Sequence, residues 1–355
     1  MIRVLDEKFL STGFVYLAQK SNLVKILIIR FSSIGDIVLT TPVARILKNQ
    51  QQAEVHYLTK GRFKNLLVAN PNIDKVWSFE EKLEEVLPAL KAEKFDLIVD
   101  LHKNLRSMQV KMKLGVQSTS FDKLNFKKWL LVQLKIHRLP DKHIVDRYLE
   151  TISHFGIQND GKGLDYYFSK KEEAVASEVQ RAFPNIQVDK PFIAFAIGAA
   201  HQTKRVPLHR CKEIAAGLSL PVILLGGPGE KEDGEVIAKD LPHIVNTCGH
   251  LSLDASAFLV KHAWKVISPD TGMMHIAAAF QKELVSIWGN TVLEFGMTPY
   301  YAAENPPAHA LFEMKGLSCR PCSKIGYESC PKGHFNCMEQ LPYPSIIEML
   351  KKGAS

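Results

Sequence analysis

Asp36 stands just past a short apolar run, Lys25 to Phe31, and a small-residue turn, Ser32-Ser33-Ile34-Gly35. A carboxylate in that place can take a proton from a hydroxyl, or it can simply cap the helix that follows. A second acidic turn, Asp270-Thr271-Gly272, follows the apolar run Trp264 to Ser268 and precedes a small-residue helix through Ala279. Unpaired N–H groups at a helix N-terminus attract phosphate, although Asp270 could again be a plain cap. His275 falls roughly on the same helical side as Thr271, as a ligand group or as a structural histidine. Between Gly198 and Pro207, Lys204 and Arg205 could neutralise a diphosphate. In Leu225-Gly-Gly-Pro-Gly-Glu230 the glycines allow a ligand close to the backbone, and Glu230 could accept hydrogen bonds from a ribose. Three such loops at the strand ends of one domain predict a nucleotide-diphosphate site. None is a GxGxxG or a P-loop, which argues against NAD binding and ATP hydrolysis.

Elements that would hold these residues alternate along the chain. Lys25–Phe31, Ala53–Leu58, Asp74–Phe79 and Phe95–Leu101 read as strands, with helices after Asp36, over 82–94, from His102-Lys-Asn-Leu-Arg-Ser107 to Leu114, and over 143–155. Either Pro42 kinks the first helix, or the regular helix begins near Thr41 with Pro42 at its first position. Residues 115–142 read as irregular and basic, with Phe121, Phe126 and Trp129 among lysines. Those aromatics could stack on bases, lie on a lipid surface or pack beneath a loop. Asp160-Gly-Lys-Gly163 marks a boundary, followed by a connecting strand over Leu164 to Phe168. A second series has strands at 191–197, 221–227, 243–247, 264–268 and, last, 283–288, with helices between them. The pattern is α/β: two doubly wound, Rossmann-like units. The expected division is an N-terminal extension over 1–24 (an added helix or a leader), a domain over 25–162, a second over 163–340, and a closing helix over 341–355.

The chain has 355 residues, 46% hydrophobic and 23% charged, with a formal net charge of +8. Nothing approaches the ~20 apolar residues that cross a bilayer, and the start of the chain, with Asp6 and Glu7 before its apolar patch, lacks the basic opening of an export signal. A cytoplasmic protein is expected. Residues 101–150 carry 11 lysines and arginines against 4 acids, which is most of the net charge. Such a patch either concentrates anionic partners (nucleic acid, acidic lipid head groups or phosphorylated sugars) or is a solvated basic face with no partner.

Ile26–Pro42, Phe95–Ser107, Gly198–Pro207, Gly226–Glu230, Ser268–Ala279 and Cys319–Met338 together resemble the lipopolysaccharide heptosyltransferases, glycosyltransferase family 9. The specific motifs are Ser-Ser-Ile-Gly-Asp and Pro-Asp-Thr-Gly-Met-Met-His. The resemblance implies a GT-B fold, two Rossmann-like domains facing each other across a cleft. It implies inverting, metal-independent sugar transfer from a nucleotide sugar, typically ADP-heptose, to an anionic inner-core acceptor linked to lipid A. Asp36 would be the general base, and Lys204 would stabilise the leaving diphosphate. The donor would also meet Ser33, Gly35, Thr203, Gly226 and Glu230, together with Asp270, Thr271, Gly272 and His275. Lys103, Asn104 and Arg106, expected at a strand end facing the cleft, are acceptor candidates, and peripheral contact with the inner membrane face fits a lipid acceptor. The closing helix would cross back to the first domain. Ala199 and Ala200 stand where some members carry hydroxyls, and Val206 where an aromatic is common.

Cys319-Arg-Pro-Cys322, Cys330 and Cys337 place four thiols in 19 residues. They could form a small structural zinc site or remain reduced thiols. Two other readings compete with the transferase. One is an epimerase or phosphorylase of the same architecture. The other is a nucleic-acid-binding protein with a zinc knuckle, which leaves Asp36 and Asp270-Thr-Gly without a role.

Overall fold

The computed structural model describes residues 23–352; the expected extension over 1–24 lies almost wholly outside them. Two parallel sheets form, each from alternating strands and helices. The first contains β1 (Lys25–Ile29), β2 (Glu54–Lys60), β3 (Lys75–Phe79), β4 (Leu97–Asp100) and β5 (Ser118–Ser120) in the order β3-β2-β1-β4-β5. Its helices are α1 (Ile34–Val38), α2 (Thr41–Gln51), α3 (Leu87–Ala92), α4 (Leu105–Leu114), α5 (Asn125–Trp129), which continues as a π-helix over Leu130–Leu134, and α6 (Ile144–Leu149). Pro42 lies in the first turn of α2, so the chain makes two short helices rather than one kinked one.

After α7 (Glu172–Ala182), the second sheet contains β6 (Ile193–Ala196), β7 (Val222–Leu225), β8 (Ile244–Asn246), β9 (Lys265–Pro269), β10 (Leu284–Trp288) and β11 (His309–Glu313). Their order is β11-β10-β9-β6-β7-β8. Packed on it are α8 (Leu208–Ala216), α9 (Lys231–Ala238), α10 (Leu253–His262), α11 (Gly272–Ala279), α12 (Asn336–Glu339) and α13 (Tyr343–Lys351). In both sheets the strand order reverses beside the first strand: between β1 and β4, and between β6 and β9. At such a switch point the loops diverge and leave a crevice outside the carboxyl ends. The central strands are buried on both faces, which is why they read as continuous apolar runs. One apolar cluster runs from Ile26 and Ile28 of the first sheet to Val266 and Trp288 of the second.

Several expectations are corrected. No strand forms over 164–168: Asp165 N–H donates to Thr41 Oγ1 (2.9 Å) instead of to a neighbouring strand, and just before it Arg45 donates to the Gly163 carbonyl (2.8 Å). Arg45, buried in α2, also grips Asp160 (2.7 Å) and Asp165, clamping the linker to the first unit. The second sheet does not end at β10, since β11 pairs with it in parallel register, Leu284 opposite His309. Residues 115–142 are not wholly irregular but contain β5, α5 and the π-helix. The closing helix α13 does not cross back. Tyr343, Ile346 and Leu350 bury themselves in the core of the second unit with Ile193 and Val285, and Lys265 Nζ binds the carbonyls of Met349 (3.1 Å) and Lys352 (2.5 Å) at its end. Among the described residues, no helix is long and apolar enough to cross a membrane.

Candidate active site

The two switch points face each other across a cavity of about 630 Å³, within the range of small-molecule sites. The first unit contributes Ser33, Ile34, Gly35 and Asp36, plus Arg62 and Phe63 from the 3-10 helix (Gly61–Leu66) that follows β2. The loops after β6, β7 and β9 supply most of the rest.

On the first wall, Ser33 rather than Asp36 is the N-cap of α1, and Asp36 answers from the third helical position. Its Oδ2 accepts from Ser33 N–H (3.1 Å) and Ser33 Oγ–H (2.8 Å). Its Oδ1 meets the Arg30 guanidinium at 2.5 Å. Arg30 is itself fixed, donating to the carbonyls of Ser32 (2.8 Å) and Leu101 (2.6 Å) and to Tyr148 Oη (3.1 Å). Burial pushes the Asp36 carboxyl up. The Arg30 charge and the Ser33 hydrogen bonds outweigh it and hold Asp36 below the ordinary carboxylate range. Asp36 is therefore an ionised, oriented acceptor at neutral pH.

Opposite it, Thr271 caps α11, and Gly272 opens the helix. The N–H groups of the first turn have no intrahelical partner and carry the positive end of the helix dipole. Lys204 Nζ pairs with Asp270 Oδ2 at 2.6 Å, and the same oxygen accepts from Thr291 Oγ1 (2.8 Å). Arg205 pairs with Glu230 Oε1 (2.6 Å), while Glu230 Oε2 accepts from Gly227 N–H (2.8 Å). His275 is buried, and burial pushes its imidazole down to about 4, so it is neutral at pH 7. Its Nδ1 is buried without a hydrogen-bond partner in the protein.

The two motifs touch. A side chain at Gly35 would place its Cβ 2.6 Å from His275 Cδ2, and one at Gly272 would place its Cβ 2.8 Å from Ile34 Cβ. Glycine at both positions lets the N-termini of α1 and α11 abut, and the charge of Asp36 reaches His275.

Of the sequence-derived candidates, Ser33, Gly35, Asp36, Lys204, Gly226, Glu230, Asp270, Thr271, Gly272 and His275 all line this cavity. Thr203 does not: its N–H and Oγ1 engage Tyr327 and tether the cysteine-rich tail. Nor do Lys103, Asn104 and Arg106. Asn104 caps α4 by accepting from Ser107 N–H (2.9 Å), and Lys103 and Arg106 are solvent-exposed. Arg62, Phe63, Ser256 and Met297 line the cavity without having been singled out. Only the place of Arg62 and Phe63 after a central strand could have pointed to them. Above the first wall, Lys123 and Lys128 lie close enough for Asp36 to act on their charge. Burial and nearby cations push Lys128 down to about 8.

The six cysteines are free. Cys319 Sγ lies 3.8 Å from His334 Nε2. Cys322, Cys330 and Cys337 are near neighbours, but no three of the tail's ligand atoms converge to coordination distance. Among the described residues, only Glu54, His56 and Glu93 do so. There Lys25 Nζ already supplies the cation, 3.2 Å from Glu54 and 2.7 Å from Glu93.

A family model described as glycosyltransferase family 9 (heptosyltransferase) matches residues 84–308. Lipopolysaccharide heptosyltransferase 1 of Campylobacter coli is 24% identical over 298 residues, covering 75% of this chain and 84% of that protein. Among solved structures, a family 9 glycosyltransferase of Veillonella parvula superposes with a TM-score of 0.74 at 20% identity, over 94% of this chain and 98% of that one. The ADP-heptose lipopolysaccharide heptosyltransferase II of E. coli does so with a TM-score of 0.67 at 19% identity, over 92% and 97%. The two facing units are thus the GT-B arrangement.

Proposed function

The chain belongs to glycosyltransferase family 9, and on that premise we propose that it transfers heptose from ADP-heptose to an anionic, lipid A-linked inner-core acceptor, with inversion and without a metal. The observation that carries this reading is one cavity with an ionised, oriented carboxylate on one wall and a lysine beside a helix N-terminus on the other. The names of the relatives support the sugar and the pathway.

The diphosphate sits at the N-terminus of α11, with Lys204 exchanging part of its contact with Asp270 for phosphate oxygen. Leu251, Leu253 and Pro228 offer an apolar slot for the base, and Glu230 is placed for the ribose hydroxyls. His275, neutral, donates or accepts through its unpartnered Nδ1 toward the donor. The acceptor hydroxyl attacks the anomeric carbon from the face opposite the diphosphate. As the new C–O bond forms, Asp36 takes the hydroxyl proton and the bond to the diphosphate breaks. The negative charge that departs with ADP is met by Lys204 and the first-turn N–H groups. A depressed carboxylate suits a proton transfer that comes late, when the attacking oxygen is already acidic. No step calls on the cysteine tail, whose thiols do not converge as a zinc site would require.

Calorimetric titration with ADP-heptose, ADP, UDP-GlcNAc and GDP-mannose, without added metal, tests the donor. Selective binding of the two adenine ligands is expected. Preference for another nucleotide replaces the sugar assignment, and binding of none overturns the reading.

A further inference from the structure

Of the large apolar side chains that the described residues leave exposed, four crowd into eleven positions: Phe126 (69% exposed), Trp129 (50%), Leu134 (54%) and Ile136 (43%). They belong to α5, the π-helix that continues it and the turn that follows. Phe126 and Trp129 stack in solvent, their rings 13° from parallel with centroids 6.2 Å apart. Phe121, the third aromatic of this basic stretch, does the opposite: it is buried edge-on against Tyr148. The hairpin is anchored from below, where Leu131 and Leu139 pack on Val292 and Phe295 of the second unit. Lys135 Nζ also binds the Cys319 and Pro321 carbonyls (3.3 and 2.7 Å). Held in this way, the aromatic pair stays largely exposed among the described residues. Lys127, between the two aromatics in sequence, and Arg138, just past Ile136, are both exposed and without an ion-pair partner among the described residues. From 115 to 140 the only acid is Asp122.

Stacked aromatics and aliphatics ringed by cations, with almost no acid, match the headgroup layer of an anionic bilayer, which takes the rings at its apolar boundary and the cations at its phosphates. We propose that residues 125–138 dock the protein on an anionic phospholipid membrane. The hairpin adjoins the cleft: Lys128 lies over the Phe295 ring (5.5 Å) and within electrostatic reach of Asp36. Docked there, the protein turns the Asp36 wall toward the surface in which a lipid-linked acceptor is anchored. This consequence, though not the docking itself, rests on the transfer reading given above.

The test is sedimentation of the full chain with phosphatidylcholine vesicles, with and without phosphatidylglycerol. Binding to the anionic vesicles should exceed binding to the neutral ones roughly tenfold or more, and Phe126→Ser/Trp129→Ser should lower it about as much. Lys127→Glu/Arg138→Glu should do the same without touching the apolar face. Calorimetric ADP binding by each variant is expected to equal that of the unmodified chain, which separates lost docking from lost folding. Equal binding to both vesicle types, no binding, or variants that bind as the unmodified chain does would overturn the proposal. If vesicles bind but ADP does not, the docking surface stands and the transferase reading falls.

Discussion

The two walls of the cleft handle charge in opposite ways. On the second unit's wall each cation has an acid: Lys204 has Asp270, and Arg205 has Glu230. On the first, Asp36 is matched by Arg30, but Lys123 and Lys128 near it have no carboxylate in contact among the described residues. A diphosphate entering the paired wall must compete with Asp270 for Lys204, so its affinity comes from short-range exchange in a fixed geometry. An anion approaching the unpaired wall is drawn by net field, which acts at longer range and is screened by salt. One wall is built for a defined small ligand, and the other for a large and variable one.

Asp36→Asn cuts most deeply if the walls divide the work in this way. It should lower turnover by ~100-fold or more while calorimetric ADP affinity holds, and unchanged turnover would return Asp36 to a capping role. Lys204→Met should reverse the pattern, weakening ADP binding by roughly 10- to 100-fold, the worth of a charge-assisted bond. If it lowers only turnover, the paired wall is not the donor wall. Lys128, held down to about 8 mainly by burial, keeps its charge below that pH and loses it above. The KM for an anionic acceptor should therefore rise a few-fold between pH 7 and 9 while ADP affinity stays level, and steady-state kinetics with a soluble acceptor measures both. The smallest effect concerns stability. His102, His143 and His275 are all pushed down to about 4 by burial. The unfolded chain takes up protons first, so the stability these neutral rings contribute is intact above about 6.5 and lost as pH falls toward 4. Thermal unfolding at pH 4.5 should come about 5 °C or more below that at pH 7.

Much of this site was legible because it is local. Asp36, Asp270 and Lys204 each follow a buried strand within eight residues, and the pattern of strand, turn and helix marks such positions before any tertiary contact is known. Long-range features were not legible. Arg62 and Phe63 line the cavity only because β2 lies beside β1. Thr203 looked like a ligand residue, but its partner, Tyr327, is 124 positions away. Lys103, Asn104 and Arg106 do follow a strand, yet Asn104 spends its side chain on the α4 cap and the pair beside it faces solvent. β11 escaped notice because its half-buried residues alternate weakly after a long loop. The exposure of Phe126 and Trp129 depends on how the hairpin is anchored, which no periodicity reports.

Gly35 and Gly272 bring two backbones together with no side chain between them. A contact of that kind serves as a fulcrum. If the two units rock about it, the rim of the crevice swings widely to admit a bulky acceptor. Atoms near the pivot hardly travel, and Asp36 and the first turn of α11 are among them. The distance between the carboxylate and the phosphate seat is then conserved through opening and closing, so the catalytic spacing need not be rebuilt in each turnover.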